Sequence, residues 1–338
     1  MKKTLILLVI VISANTAFSQ DLGDFLEGGV EDGNQLLESY LEPIFQGFGY
    51  GLNSGWYNTG KPHKTLGFDL TVTTNMAYVP DNALFYTINP SDYQNLNTAP
   101  AENGQTRYPT IMGPNLGADD IPYLVFNENN SDPNDDISIT APTGLGLDEE
   151  FGFNAVPVPV ASLGIGIIKG TELRLRLIPK QTFGDPGEEF STGMFGIGVM
   201  HDVKQWIPVI KNLPFDLSGF FGYTKMTNEF SFDADNPDQI GEFNVSGTTL
   251  QGIISKKLSV LTAYAGVGFI STKTNFNLNG TYETEAGTFT DPVDLSYKSG
   301  SLRANAGLRL KLLIFTFHAE YALQKYNTLS AGVGISIR

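Results

Sequence analysis

The stretch Gly300–Arg338, GSLRANAGLRLKLLIFTFHAEYALQKYNTLSAGVGISIR, decides the fold. Leu302, Ala304, Ala306, Leu308, Leu310 and Leu312 alternate with Ser301, Arg303, Asn305, Gly307, Arg309 and Lys311. Phe315, Phe317, Ala319, Tyr321 and Leu323 alternate with Thr316, His318, Glu320, Ala322 and Gln324. A third run sets Leu329, Ala331, Val333, Ile335 and Ile337 against Ser330, Gly332, Gly334 and Ser336. Successive strand side chains point to opposite faces, so each run has one apolar and one polar face. Strands of about 10–13 residues suit tilted membrane crossings better than sandwich strands of about 5–6. The polar faces mix charges with glycines, as a watery lumen allows. The chain is thus expected to be all-β, an antiparallel transmembrane β-barrel with its apolar face outward.

Working outward, Met1–Gln20 reads as a secretory signal. Lys2 and Lys3 precede an apolar run from Leu5 to Ile12, and Ala17–Phe18–Ser19 offers a small-x-small cleavage site after Ser19. Cleavage removes two lysines and moves the formal charge from −15 to −17. With no cysteine, the chain is neither a lipoprotein nor a disulfide scaffold. After the signal no apolar run approaches the ~20 residues of a membrane helix. The acidity argues against nucleic acid as a partner. The expected location is the outer membrane of a Gram-negative bacterium, reached with the help of barrel-insertion machinery, with outer-membrane lipid as the immediate partner.

Residues 20–57 are expected to be a helical plug in the lumen, and 58–338 the barrel. Leu36, Leu37, Tyr40, Leu41, Ile44 and Phe45 recur at helical spacing opposite Asn34, Glu38, Ser39, Glu42 and Gln46. Asp32 with Gln35 resembles a capping box, and Pro43 should kink or end the helix. The glycines of Gly47–Phe48–Gly49–Tyr50–Gly51 favour close packing inside the barrel over an interfacial helix.

Strands are expected from Thr65 and at about Phe153–Ile167, Thr171–Ile178, Ser191–Val203, Phe215–Asn228, Phe243–Ser255 and Ser259–Thr272. Pro157 and Pro159 predict a bulge or an irregular strand. Counting back from a last strand that ends in the periplasm makes Lys169–Gly170, His201–Pro214 and Lys256–Lys257 periplasmic turns. Pro179–Glu189, Phe230–Glu242 and Lys273–Ser299 then become external. The polar segment 79–152 is expected to be a mostly external insertion that also supplies two to four strands. A barrel that encloses a helix needs more room than about eight strands give. The expected barrel therefore has about 12–14 strands, an even number.

Three segments carry a resemblance. Met200–His201–Asp202–Val203–Lys204–Gln205–Trp206–Ile207–Pro208 with Leu213–Pro214–Phe215–Asp216 is one. Asn34–Gly51 is the second, and Trp56–Tyr57–Asn58–Thr59–Gly60–Lys61–Pro62–His63–Lys64 followed by Leu66–Gly67–Phe68–Asp69–Leu70 is the third. Over the mature chain these resemble an uncharacterised family of Bacteroidetes-type outer-membrane barrels, a domain of unknown function. The resemblance carries no site residues. The plugged architecture is also similar to that of outer-membrane long-chain fatty-acid channels, although their N-terminal hatch motif is not matched.

The three histidines, His63, His201 and His318, lie in no zinc-protease, nucleophile-elbow or phosphate-loop motif. No enzyme, metal or cofactor is expected. His201–Asp202 could be read as a catalytic or metal pair, but the turn suits an interface anchor centred on Trp206. Asp233–Ala234–Asp235–Asn236–Pro237–Asp238 and Asp132–Asp136 invite a calcium reading, against a default of solvated loop. The lumen candidates are Glu320, Arg309, His318, Arg174 and Arg176. A two-residue turn at Leu313–Ile314 sets Arg309 opposite His318 and Gly307 opposite Glu320. A three-residue turn at Lys325–Tyr326–Asn327 would set Glu320 opposite Gly332, with Arg309 on its diagonal. Glu172, Arg174 and Arg176 form a second charged row. The simpler role for both rows is a salt-bridge lattice bracing the wall. The leading functional expectation is a plugged channel for a small apolar or amphipathic solute. The alternative is a non-transporting surface-binding or scaffold barrel acting through its long loops.

Overall fold

Ten alternating runs become strands that close on one another in chain order. They are β1 (Phe68–Tyr78), β2 (Ala155–Gly166), β3 (Thr171–Phe183), β4 (Phe190–Asp202) and β5 (Asp216–Ser231), then β6 (Ile240–Leu258), β7 (Leu261–Asn279), β8 (Val293–Leu312), β9 (Phe315–Leu323) and β10 (Thr328–Ile337). Each pairs antiparallel with the next, and β10 pairs with β1 to complete the ring. The computed structural model describes residues 25, 29–97, 107–117, 119–127, 136–184, 189–231, 236, 238–284 and 287–337. The signal segment and most of both calcium candidates, including Asp132, Asp135 and Asp233–Asp235, lie outside them.

Outward positions are apolar and exposed on strand after strand, including Leu70, Phe195, Phe221, Val267, Leu302, Phe317 and Val333. A soluble protein rarely exposes a contiguous apolar surface of this extent, whereas hydrocarbon covers it without cost. No helix among the described residues is long and apolar enough to cross a membrane, so crossing falls to the strands. The connections at 167–170, 203–215, 259–260 and 313–314 define a turn end, and those at 79–154, 184–189, 232–239, 280–292 and 324–327 a loop end. This is the expected asymmetry, with shifted bounds: the expected external segments Pro179–Glu189, Phe230–Glu242 and Lys273–Ser299 shrink because β3, β5, β6, β7 and β8 run on past the expected strand ends. The β6–β7 turn is Ser259–Val260 rather than Lys256–Lys257, with Ser259 at φ 57 and Leu313 of the next tight hairpin at φ 56. Two-residue hairpins require such positive φ to match the strand twist.

The expectation of 12–14 strands is corrected to ten. The extra runs within 79–152 do form strands, but none joins the wall. Phe85–Thr87 pairs with Arg107–Pro109, and Tyr123–Asn127 lies between Leu96–Asn97 and Asp136–Thr140. Their apolar residues, Tyr108, Ile111, Leu124 and Phe126 among them, pack into one core with the N-terminal helix. They are buried against protein, so no lipid-facing strip remains for a wall strand.

That helix, α1 (Val30–Leu52), starts at the loop end, where Asn34 Nδ2 donates to the Pro292 carbonyl at 2.9 Å. It descends into the lumen, and residues 53–67 continue as coil to the turn end, where β1 begins. The chain is thus threaded through its own barrel. Asp32 forms no capping box. Its carboxylate accepts the backbone N–H groups of Gln94, Asn95 and Leu96 at 2.9, 2.7 and 3.2 Å, tying the first helical turn to the loop-end cap. Pro43 does not end the helix, which runs on for nine residues past it. Packing on all sides outweighs the single backbone bond that proline removes.

Candidate functional site

Ten strands spaced about 4.8 Å apart and tilted by about 40° enclose a backbone cylinder about 20 Å across. A helix with side chains is about 10–12 Å wide, so it fits only where side chains are thin. Gly47 and Gly51 share one helix face and lie against Val156 and Val158 of β2. A Cβ on either would come within 2.4 or 2.6 Å of a valine Cγ2. Gly49 faces the other way, onto Thr272 of β7, where a Cβ would meet the threonine Cβ at 2.7 Å. In the ring of ten, β2 and β7 lie five strands apart, across the diameter. Glycines on both faces therefore clamp the helix across the full width of the barrel.

Below the clamp the helix C-terminus presents carbonyls without intrahelical partners. Arg176 reaches from β3 to satisfy one of them and one carbonyl just past the helix end. Its Nη1 donates to the Leu52 carbonyl and its Nη2 to the Ser54 carbonyl, both at 2.6 Å, while its guanidinium lies 3.7 Å over the Trp56 ring. The negative end of the helix dipole and the ring face substitute for a carboxylate. At the same level Arg303 of β8 donates to Glu320 at 2.6 Å and to Ser54 Oγ at 2.7 Å. Asn305 donates to the second Glu320 oxygen at 2.9 Å, and the Tyr57 hydroxyl donates to Gln251 at 2.5 Å.

The coil from Asn58 to Lys64 is held in the same way. Ser218 Oγ donates to the Gly60 carbonyl at 2.7 Å, and the His63 backbone N–H donates to Glu172 at 2.7 Å. The His63 ring lies 3.2 Å from Asp69, and burial pushes its imidazole below the ordinary value against the opposing pull of Glu172 and Asp69. Arg174 bridges both carboxylates, at 2.7 Å from Glu172 and 3.0 Å from Asp69.

The structure sorts the candidates into three groups. Glu320 lies opposite Gly307, and Arg309 opposite His318, as expected. Glu320 lies opposite Ser330, however, and Gly332 opposite His318, because the β9–β10 turn is longer than three residues. The ion-pair partner of Glu320 is Arg303, which the expected diagonal to Arg309 overlooked. Arg303 sits on the same polar face of the same run, but only the position of Ser54 in the plug shows which arginine is drawn to Glu320. Arg174 and Arg176, two residues apart, serve different levels, one the turn-end carboxylates and the other the helix end. Of the helix face, Leu36, Leu37, Tyr40, Leu41 and Phe45 are buried and Ile44 is half-buried. Trp206 stands at the turn end, 65 % exposed, and donates to His201 Nε2 at 2.8 Å. With Thr171 on its other nitrogen at 2.8 Å, the His201 ring is occupied by its neighbours.

One seam departs from the regular wall. β2 pairs with β1 along eleven positions, but with β3 only from Ser162↔Arg176 to Gly166↔Glu172. Above those five pairs the strands separate toward the loop end. Pro157 and Pro159, which have no N–H to donate, lie in the part that pairs with β1 but not with β3. The expected irregularity is therefore a missing ladder and not a bulge. Leu177, beside the split, is 64 % exposed.

No curated protein matches the chain. Among solved structures, the chain is similar to the translocator domain of the autotransporter NalP from Neisseria meningitidis, at 12% identity over 91% of this chain and 98% of that one, with a TM-score of 0.33. It is similar to Ail, the attachment invasion locus protein of Yersinia pestis, at 15% identity over 53% and 95%, with a TM-score of 0.26. It is also similar to the outer membrane protease OmpT of Escherichia coli, at 6% identity over 80% and 93%, with a TM-score of 0.28. Likenesses of this strength carry no functional argument. The sequence match is broader: residues 1–337 fit the Family of unknown function (DUF6588), and the chain belongs to that family.

Proposed function

We propose that the protein is a non-conducting barrel of a Gram-negative outer membrane, with its loop end outside. It works as a binding or scaffold surface through the cap folded over α1. The observation that carries this reading is the threaded segment. From Gln46 through Ser54 and Tyr57 to His63, its groups bond to wall residues at successive levels, among them Ser299, Arg303, Gln251 and Glu172. Moving it would break many buried polar contacts at once, each costing about 1–3 kcal/mol if left unpaired. No reaction is assigned. His63, His201 and His318 each contact neighbouring side chains, and His318 contacts Thr73 at 3.2 Å.

The chain has no native cysteine, so a lock is simple to build. Thr59 Oγ1 of the threaded coil and Ser255 Oγ of the wall strand β6 lie 3.4 Å apart, and Thr59→Cys with Ser255→Cys should oxidise to a disulfide. In planar bilayers the mature protein is expected to be silent both reduced and oxidised. Steady conductance that oxidation abolishes would sink the reading.

The split between β2 and β3 favours a second reading, lateral passage of a small apolar solute between the loop-end lumen and the lipid. The inward residues of unpaired β2, Val156, Val158 and Val160, are apolar and belong to the loop-end core. On this reading Pro157→Val with Pro159→Val restores donors, lengthens the β2–β3 ladder and slows entry of an apolar dye into cells. Equal entry with the native protein, the double variant and no protein would remove it.

A further inference from the structure

We propose that the turn end of the lumen holds a site for a small free oxyanion of the phosphate or sulfate type, centred on Arg309. Arg174, Arg176 and Arg303 are each engaged, by carboxylates or by carbonyls. Arg309 is only 7 % exposed, yet among the described residues it makes neither a hydrogen bond nor an ion pair, and its Nε is buried without a partner. Asp69 and Glu172 attract Arg309 without touching it, so its buried donors are left unbonded, which is costly, and their planar fork matches an oxyanion well.

The surroundings supply further donors. His318 faces Arg309 across the β8–β9 ladder, and Thr316 is the next inward residue toward the turn end. His318 Nδ1 and Thr316 Oγ1 are both buried without partners. The other ring nitrogen of His318 lies 3.2 Å from Thr73 Oγ1, so a tautomer that accepts there leaves Nδ1–H free to donate to an anion. Gly332 has no side chain to displace the imidazole, since a Cβ there would meet His318 Cε1 at 2.4 Å. Lys311, half-buried, stands two residues along the same inward face toward the opening and bonds only Ser336 Oγ, at 3.1 Å.

The charges agree. Of the carboxylates at this end, Asp69 and Glu172 are both bound by Arg174, while Asp216 pairs with Lys61 at 3.8 Å. One arginine against two carboxylates leaves one negative charge, which Arg309 balances; Lys311 adds the excess positive charge, and Lys257 is exposed at the same end, opposite Thr262, which itself lies opposite Arg309. Donors converging from β8 and β9 suit a tetrahedral anion with several oxygens better than a single flat carboxylate.

The test is calorimetric titration of the folded mature chain in neutral detergent with inorganic phosphate, then sulfate, at constant ionic strength. One saturable site is expected, weakened about tenfold or more by Arg309→Gln, as for loss of a charge-assisted contact. Lys311→Gln, at a half-exposed position, should weaken it severalfold, and it decides the matter if the Arg309 variant does not fold. Parallel titrations with phosphatidylglycerol and phosphatidylcholine vesicles separate a lipid headgroup from a free anion. Saturation by phosphatidylglycerol alone overturns the proposal, as does an absence of binding to both inorganic anions. Unchanged binding by folded Arg309→Gln, or by Lys311→Gln where the first does not fold, overturns it equally.

Discussion

Replacing Glu320 by glutamine is expected to cost about 3–5 kcal/mol of stability, the usual result of removing one partner from a buried ion pair. The side chains of Arg303 and Glu320 are 2% and 3% exposed and lie 2.6 Å apart. Arg303 also holds Ser54 Oγ and Gln324, and Asn305 holds the second carboxylate oxygen. Glutamine keeps the size and leaves Arg303 charged, dry and uncompensated. The double variant Glu320→Leu with Arg303→Met removes both charges, and it should lose much less than the single one. The measurement is the urea midpoint of the protein refolded in vesicles. A loss below about 1 kcal/mol for Glu320→Gln would mean that water reaches the pair and that the mid-lumen is not sealed.

The second large effect is expected at the glycine clamp. Gly47→Leu together with Gly49→Leu should leave no folded barrel, seen as loss of the heat-modifiable band on a gel. Either substitution alone pushes the helix toward the opposite wall. Moving away from Val156 drives Gly49 into Thr272, and the reverse holds equally. Together they leave the helix no direction in which to yield. A milder pair tests the same geometry. Gly49→Ala should cost about 1–3 kcal/mol by overpacking. Thr272→Gly in that background should restore part of it, because it removes the atoms that a Cβ at position 49 would meet. If Gly49→Ala is neutral and the double leucine variant folds normally, the clamp is wrong.

Much of this architecture was legible in particular residues. The alternation of Leu302–Leu312 with Ser301–Lys311 places Arg303, Asn305 and Arg309 inside and the leucines outside, which is how they lie. Strand parity separates the turn end from the loop end, because each connection is local. The spacing of Leu36, Leu37, Tyr40, Leu41 and Phe45 marks the buried helix face. Pro157 and Pro159 announce an irregular strand. The strand count failed because Phe85–Thr87 and Tyr123–Asn127 look like short wall strands one at a time. Only their pairing with Arg107–Pro109 and Asp136–Thr140 takes them out of the wall. The identity of the Glu320 partner failed for a different reason: the β8–β9 register is as expected, but which β8 arginine turns to Glu320 is decided by the plug, where Arg303 also meets Ser54 Oγ.

By itself, then, the amino-acid order determined the elements and their faces: membrane-length strands with apolar exteriors, a polar interior and one amphipathic helix rich in glycine. These follow from periods of 2 and 3.6 residues, which are local properties of the chain. The tertiary structure decided the ring of ten, the threading of α1 from the loop end, and the split between β2 and β3. It also decided which cations are satisfied, so that Arg303 meets Glu320, Arg176 meets the helix end and Arg309 meets no partner among the described residues. Those outcomes depend on contacts between residues far apart in sequence. Which groups meet across a narrow lumen is set by closure of the barrel around the plug, and not by any period along the chain.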